Sequence, residues 1–232
     1  MRGTRIVEAL SRVELITPAT WSVYVSYLVL TGIPLVLALP SSERIDALSE
    51  PRLSMLPIFA TVSTVLFTIY ALNFGPAHAR LRRPPREIHT SVLAHVGFLM
   101  LLSLPYWTVF EGISGLSVAR IAGALVYVVL YGACWALIGL AIGLRWPSEI
   151  TQFNVKYALL IVSVIGTFFV LRPLNPFLVL SLWFGEGSLR EQWGFLLLAY
   201  GSLVLGVSIF LRWTATLLNA RDRDIITEGG TL

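Results

Sequence analysis

The sequence predicts an all-α polytopic membrane protein with six transmembrane helices. An interfacial amphipathic helix precedes them, and an outer re-entrant element comes before the last span. Three observations predict this. The 232 residues are 56% apolar, with a mean hydropathy of +0.78. Only 13% are charged, where soluble domains carry about 25%. Uncharged runs recur at the length a helix needs, about 20 residues, to cross a hydrocarbon core of about 30 Å. The chain reads as a single transmembrane domain, 1–232.

The elements follow in order. In RIVEALSRVELI (5–16), Ile6, Leu10, Val13 and Ile16 recur at helical spacing, while Arg5, Glu8, Ser11, Arg12 and Glu14 fall mostly elsewhere. That pattern predicts a helix lying in the membrane interface, with a break at Thr17-Pro18. Spans are predicted at 21–40, 55–74, 91–110, 121–144, 151–171 and 192–211. The first run is too long for a cleavable leader's apolar region and reads as a retained span. The fifth is the weakest. Its uncharged core, YALLIVSVIGTFFVL (157–171), lies between Lys156 and Arg172, which can snorkel to opposite interfaces. Between spans five and six, FLVLSLWF is too short to cross as a helix, and two prolines and Gly185-Glu186-Gly187 flank it. It reads as a re-entrant or interfacial element on the outer side. In span four Gly132, Ala136, Gly139 and Gly143 share a face, a small-residue stripe that permits close helix contact within one chain or between two.

Basic residues orient the chain. With the N-terminus cytoplasmic, most of the 17 lysines and arginines lie inside, and five (Arg44, Arg52, Arg120, Arg172 and Arg190) lie outside. This places both termini in the cytoplasm. The stretch 75–90 is then a cytoplasmic loop. Its HARLRRPPREIH (78–89) holds the largest basic share, so the net charge of +4 is read as a topology signal. The loop has no interleaved aromatics for stacking on bases, so nucleic acid is not expected as a partner. Membrane lipid is, since loop arginines attract anionic headgroups.

Several chemistries lack their residues. The uncharged runs contain no Asp, Glu, Lys or Arg, which argues against a proton- or voltage-driven machine and against paired-carboxylate hydrolysis. The single cysteine, Cys134, makes no intrachain disulfide and no metal cluster. His89 and His95, six apart, fall on different helix faces, so His95 is expected to be a packing residue. No Gly-rich phosphate loop precedes Lys156. No catalytic residue, cofactor site or metal site is therefore expected in this chain, and any ATP dependence must come from a partner.

Three stretches carry a family resemblance. RRPPREIHTSVLAHVGFLML, ALIGLAIGLRWPSEITQFNVKYALLI and RPLNPFLVLSLWF, in a chain of six spans with both termini inside, resemble the permease subunit of ABC transporters of the exporter, second-type class. The stretch before the prolines is shorter than is common in that family, and basic rather than acidic. The resemblance implies an ABC-type ATPase partner carrying ATP and Mg, and a second permease copy, identical or similar. It also implies a bacterial plasma (inner) membrane location and a coupling helix at Arg82, Arg83, Pro84, Pro85, Arg86, Glu87 and Ile88. There Arg86 and Glu87 would be exposed, with Ile88 available as a knob. The expected cargo is amphipathic or lipid-like, and the mildly polar Tyr24, Tyr27, Thr31, Ser63, Thr64 and Thr68 are candidates for its path. The competing readings are a membrane scaffold, suggested by the small-residue face of span four and the interfacial helix, and, last, a lipid-modifying enzyme, suggested by the loop arginines beside the headgroups with His78 and His89 nearby.

Overall fold

The computed structural model describes residues 17–38, 51–81, 83–114, 117–184 and 189–229. These form seven helices: α1 (Pro18–Ala38), α2 (Pro51–Ala79), α3 (Pro85–Ser114), α4 (Val118–Arg145), α5 (Glu149–Phe169), α6 (Pro176–Phe184) and α7 (Leu189–Gly229), with a 3-10 turn at Arg172–Leu174. Five helices (α2, α3, α4, α5 and α7) are long and apolar enough to cross a membrane, and the apolar part described for α1, Thr20–Ile33, is shorter. The chain is thus a helical membrane protein. The predicted interfacial helix 5–16 and the glycines at 185–187 lie outside the described residues.

Local chemistry sets the helix starts. Thr17 and Thr20 cap each other. The Thr20 N–H donates to the Thr17 hydroxyl (3.1 Å) and the Thr17 N–H to that of Thr20 (2.8 Å), with Pro18 at the first helical position. Trp146-Pro147 separates α4 from α5, where Ser148 caps and Glu149 favours the positive helix start. Asn175 and Pro176 open α6. The Asn175 Oδ1 accepts from the N–H groups of Phe177 (3.0 Å) and Leu178 (3.2 Å). Its Nδ2 donates to the Val164 carbonyl (3.0 Å) and the Thr167 hydroxyl (3.2 Å), so one buried amide joins the end of α5 to the start of α6.

Three predicted boundaries move. The loop expected at 75–90 shrinks to residues 80–84 between α2 and α3. Pro76 does not end α2, because a proline inside a helix removes one hydrogen bond and packing can compensate. The fifth helix begins at Glu149, two residues before the expected 151, because Ser148 supplies a cap there. The last helix runs to Gly229, long past 211. At 41 residues it is about 60 Å long, roughly twice the thickness of a hydrocarbon core.

α4 is the centre of the bundle, with 72% of its apolar window buried, against 11% for α5 and 17% for α7. The small-residue stripe of α4 is used inside the chain, against α2. A Cβ on Gly139 would strike the Leu72 carbonyl oxygen, and one on Gly143 would meet the Pro76 Cα at 2.6 Å. From the other side, a Cβ on Gly75 would strike the α4 backbone at Leu140. Pro76 has no N–H to give the Leu72 carbonyl, and Gly139 sets a Cα–H against that oxygen instead. The proline and the glycine stripe thus serve one contact.

The end of the bundle that carries residues 80–84 is called the basic end. The opposite end closes on aromatics. Phe59 packs on Trp107 (5.2 Å between ring centroids) and Phe110 (4.5 Å), and Phe184 packs on Phe110 (5.7 Å). Helix α6 is nine residues long, too short to cross a bilayer. It buries Val179, Leu180, Trp183 and Phe184, with Trp183 lying over Gly123 of α4.

Candidate functional site

Two features at the basic end could transmit or recognise something: the short turn 80–84 and the seam between α2 and α5.

The turn is tied to α3, α5 and α7. Arg80 pairs with Glu149 at the start of α5 (2.7 Å), with both side chains largely exposed. Arg221 of α7 donates to the carbonyls of Ala79 (2.8 Å) and Leu81 (3.4 Å), which capping leaves open at the end of α2. His89 of α3 bonds Thr214 of α7 (2.7 Å). His78 Nδ1 donates to the Phe74 carbonyl (2.8 Å), so its Nε2 accepts from the Ser91 hydroxyl of α3 (2.8 Å). His95 lies on this cluster, its ring 4.8 Å from that of His78. The sequence reading considered His89 with His95. The hairpin instead joins His78 with His95, a pairing that no spacing within one helix reveals. Among the described residues, no group of three or more His, Cys, Asp or Glu could hold a metal ion.

The residues expected to couple to an ATPase separate into two groups. Pro84 and Arg86 are exposed, and Arg83, Pro85 and Glu87 are half-buried. Ile88, expected to be an outward knob, is fully buried in the core, because it follows the first turn of α3 onto the inner face. Arg82 lies outside the described residues.

The expected path residues also divide. Tyr24, Tyr27, Thr31 and Ser63 are buried in the packed interior. Tyr24 stacks among Phe74, His95 and Phe98. Thr64 and Thr68 are equally buried but also border open space. They line a cleft of about 260 Å³ between α2 and α5, with Val65, Tyr131, Leu160, Ile161, Val164, Ile165, Pro176 and Phe177. A second, apolar cavity of about 710 Å³ lies behind α5, walled by α4 and α7, with Trp135, Trp146, Phe210 and Trp213 among its lining. Helix α5 therefore has open space on two sides, which matches how little of it is buried.

The seam holds a residue whose role the sequence reading missed. Lys156 was expected to snorkel to an interface. It is only 8% exposed in the bundle, and its Nζ donates to the Asn73 Oδ1 of α2 at 2.5 Å. The Asn73 Nδ2 donates to the Ile69 carbonyl (2.8 Å) and to the Tyr157 hydroxyl (3.2 Å). The Tyr157 ring lies 5.8 Å from the ammonium. Lys156 lies within the expected fifth span, 151–171, but charge spacing alone does not show a partner on α2. Asn73, a polar amide near the end of an apolar run, was the available signal.

No protein-family model, no curated protein and no solved structure matches this chain.

Proposed function

We propose that the chain is the membrane-spanning permease subunit of an ATP-driven transporter of the exporter, second-type class. In this reading all six predicted spans cross a bacterial plasma membrane, with α1 as the first. The basic end and both termini face the cytoplasm, and α6 is an outer re-entrant helix. The chain works with a second permease copy and moves an amphipathic or lipid-like solute, while a separate ATPase subunit binds ATP and Mg and hydrolyses the nucleotide.

One observation carries the reading. A five-residue turn, 80–84, joins α2 directly to α3, pairs through Arg80 with Glu149 of α5, and accepts at the Leu81 carbonyl from Arg221 of α7. A push on that turn reaches four helices without passing through a flexible linker, as coupling to a motor subunit requires. The exposed Pro84 and Arg86 present the contact surface. The small-residue stripe of α4, one of two motives for the scaffold reading, is occupied by α2 of the same chain; the other, the interfacial helix 5–16, lies outside the described residues.

The test is purification of the chain with a candidate ATPase, followed by nucleotide-dependent cross-linking from cysteines placed at 84 and 86. The expected result is a stoichiometric complex whose cross-links change on ATP binding. If no ATPase associates, and replacing Arg83, Arg86 and Glu87 leaves transport-coupled hydrolysis intact, the proposal fails.

A further inference from the structure

We infer that the α2–α5 seam binds an amphipathic anion, with its acid group on the Lys156 ammonium and its chain in the cleft beyond. This deepens the permease reading and rests on it for the direction of movement, though not for binding.

Lys156 is a cation in an apolar helix with a single side-chain hydrogen-bond partner among the described residues. An ammonium has three N–H donors, and here one of them meets the Asn73 amide oxygen. Among the described residues no carboxylate pairs with it, since the described ion pair nearby joins Arg80 to Glu149. A cation held in an apolar helix by a neutral amide is under-compensated, and inside a membrane such a residue marks a functional site. The position is reachable, because Asn73 is exposed and Tyr157 half-buried.

The surroundings then define the partner. Lys156 and Leu160 are one turn apart on α5, about 6 Å, and Thr68 precedes Asn73 by five residues on α2, about 7 Å. The cleft lining therefore begins about one helical turn past Lys156 along α5, on the side away from the basic end, and Lys156 stands just outside it. Its hydroxyls are already used, Thr64 donating to the Ala60 carbonyl and Thr68 to that of Thr64 (both 2.7 Å). What remains is a half-open apolar slot of about 260 Å³ lined also by Pro176 and Phe177, just below the usual range of ligand pockets, about 300–1,000 Å³. One hydrocarbon chain with a carboxylate or phosphate at its head matches both parts. A neutral amphiphile would leave the ammonium uncompensated.

The probe is palmitic acid with a mid-chain diazirine, used on the full chain in phosphatidylcholine nanodiscs. The matching alcohol and the variants Lys156→Gln, Lys156→Arg and Thr68→Phe are compared. The acid should label peptides containing residues 64–68 or 160–165. The alcohol should label about tenfold less, the loss expected for one charge-assisted hydrogen bond. Lys156→Gln should lose labelling to the same degree, Lys156→Arg should keep it, and Thr68→Phe, which fills the slot, should abolish it. Displacement by phosphatidylglycerol assigns the site to a bilayer headgroup, and displacement by free fatty acid alone assigns it to a single-chain solute. Equal labelling by acid and alcohol overturns the inference. So does unchanged labelling in Lys156→Gln or Thr68→Phe, or displacement by neither competitor. If Lys156→Gln does not elute as a monodisperse protein, the acid–alcohol comparison on the unaltered chain decides. No ATPase is present, so failure here leaves the permease reading standing, and loss of the ATPase partner leaves this binding untouched.

Discussion

Arg221 donates to the Ala79 carbonyl at 2.8 Å across 142 residues of sequence. One guanidinium on α7 thereby closes the end of α2, where the last carbonyls have no partners within the helix. Replacing Arg221 with Ala should lower stability by about 1–2 kcal/mol, the range for a hydrogen bond to a charged group in a half-exposed setting. Unfolding in mixed micelles would measure it. A variant as stable as the parent would show that the carbonyls are served equally well by water.

The α2–α4 contact offers a sharper comparison. Gly139→Ala forces a methyl group into the Leu72 carbonyl, while Gly97, which has open space where a side chain would stand, accepts one freely. Gly139→Ala should cost about 3 kcal/mol or more, at the upper end for overpacking. Gly97→Ala should be neutral or stabilising by up to about 1 kcal/mol, since alanine favours the helix. Similar losses in both variants would mean that the contact is looser than described.

Asn175 is fully buried and makes four hydrogen bonds. Asn175→Ala leaves two helix-start N–H groups and one carbonyl without that partner. The expected loss is about 2–4 kcal/mol, with increased proteolysis between α5 and α6. A loss under about 0.5 kcal/mol would contradict the joint role of this amide.

Arg80 and Glu149 are close but exposed, 57% and 75%. A double-mutant cycle on Arg80→Ala and Glu149→Ala should give a coupling below about 1 kcal/mol that fades with salt. A large, salt-independent coupling would place this pair in a drier setting.

How far the sequence carried the reading depends on which force acted locally. The long apolar helices were legible because a bilayer forbids charge over a fixed length. Helix ends were not, since they obey caps and not the charge pattern. Ser148 starts α5 two residues before the expected 151, and the burial of Lys156 follows from Asn73 on α2, a partner distant in sequence. The Asn-Pro start of α6 was readable as a break, but the reach of Asn175 back to Val164 and Thr167 was not. Gly139 and Gly143 announced a close contact without naming its partner. Ile88 sits on the inner face, which a charge pattern could not reveal.

The glycine contact also divides the molecule by tempo. With backbone against backbone along the α2–α4 face, those two helices open only when the whole bundle does. Helix α5 shares little buried surface with them and borders two cavities. Amide hydrogens of α4 around Gly139 should therefore exchange last, and those of α5 past Leu160 orders of magnitude sooner. A slow spine and a quick flank within one domain would let a ligand come and go beside α5 while the rest of the fold stays shut.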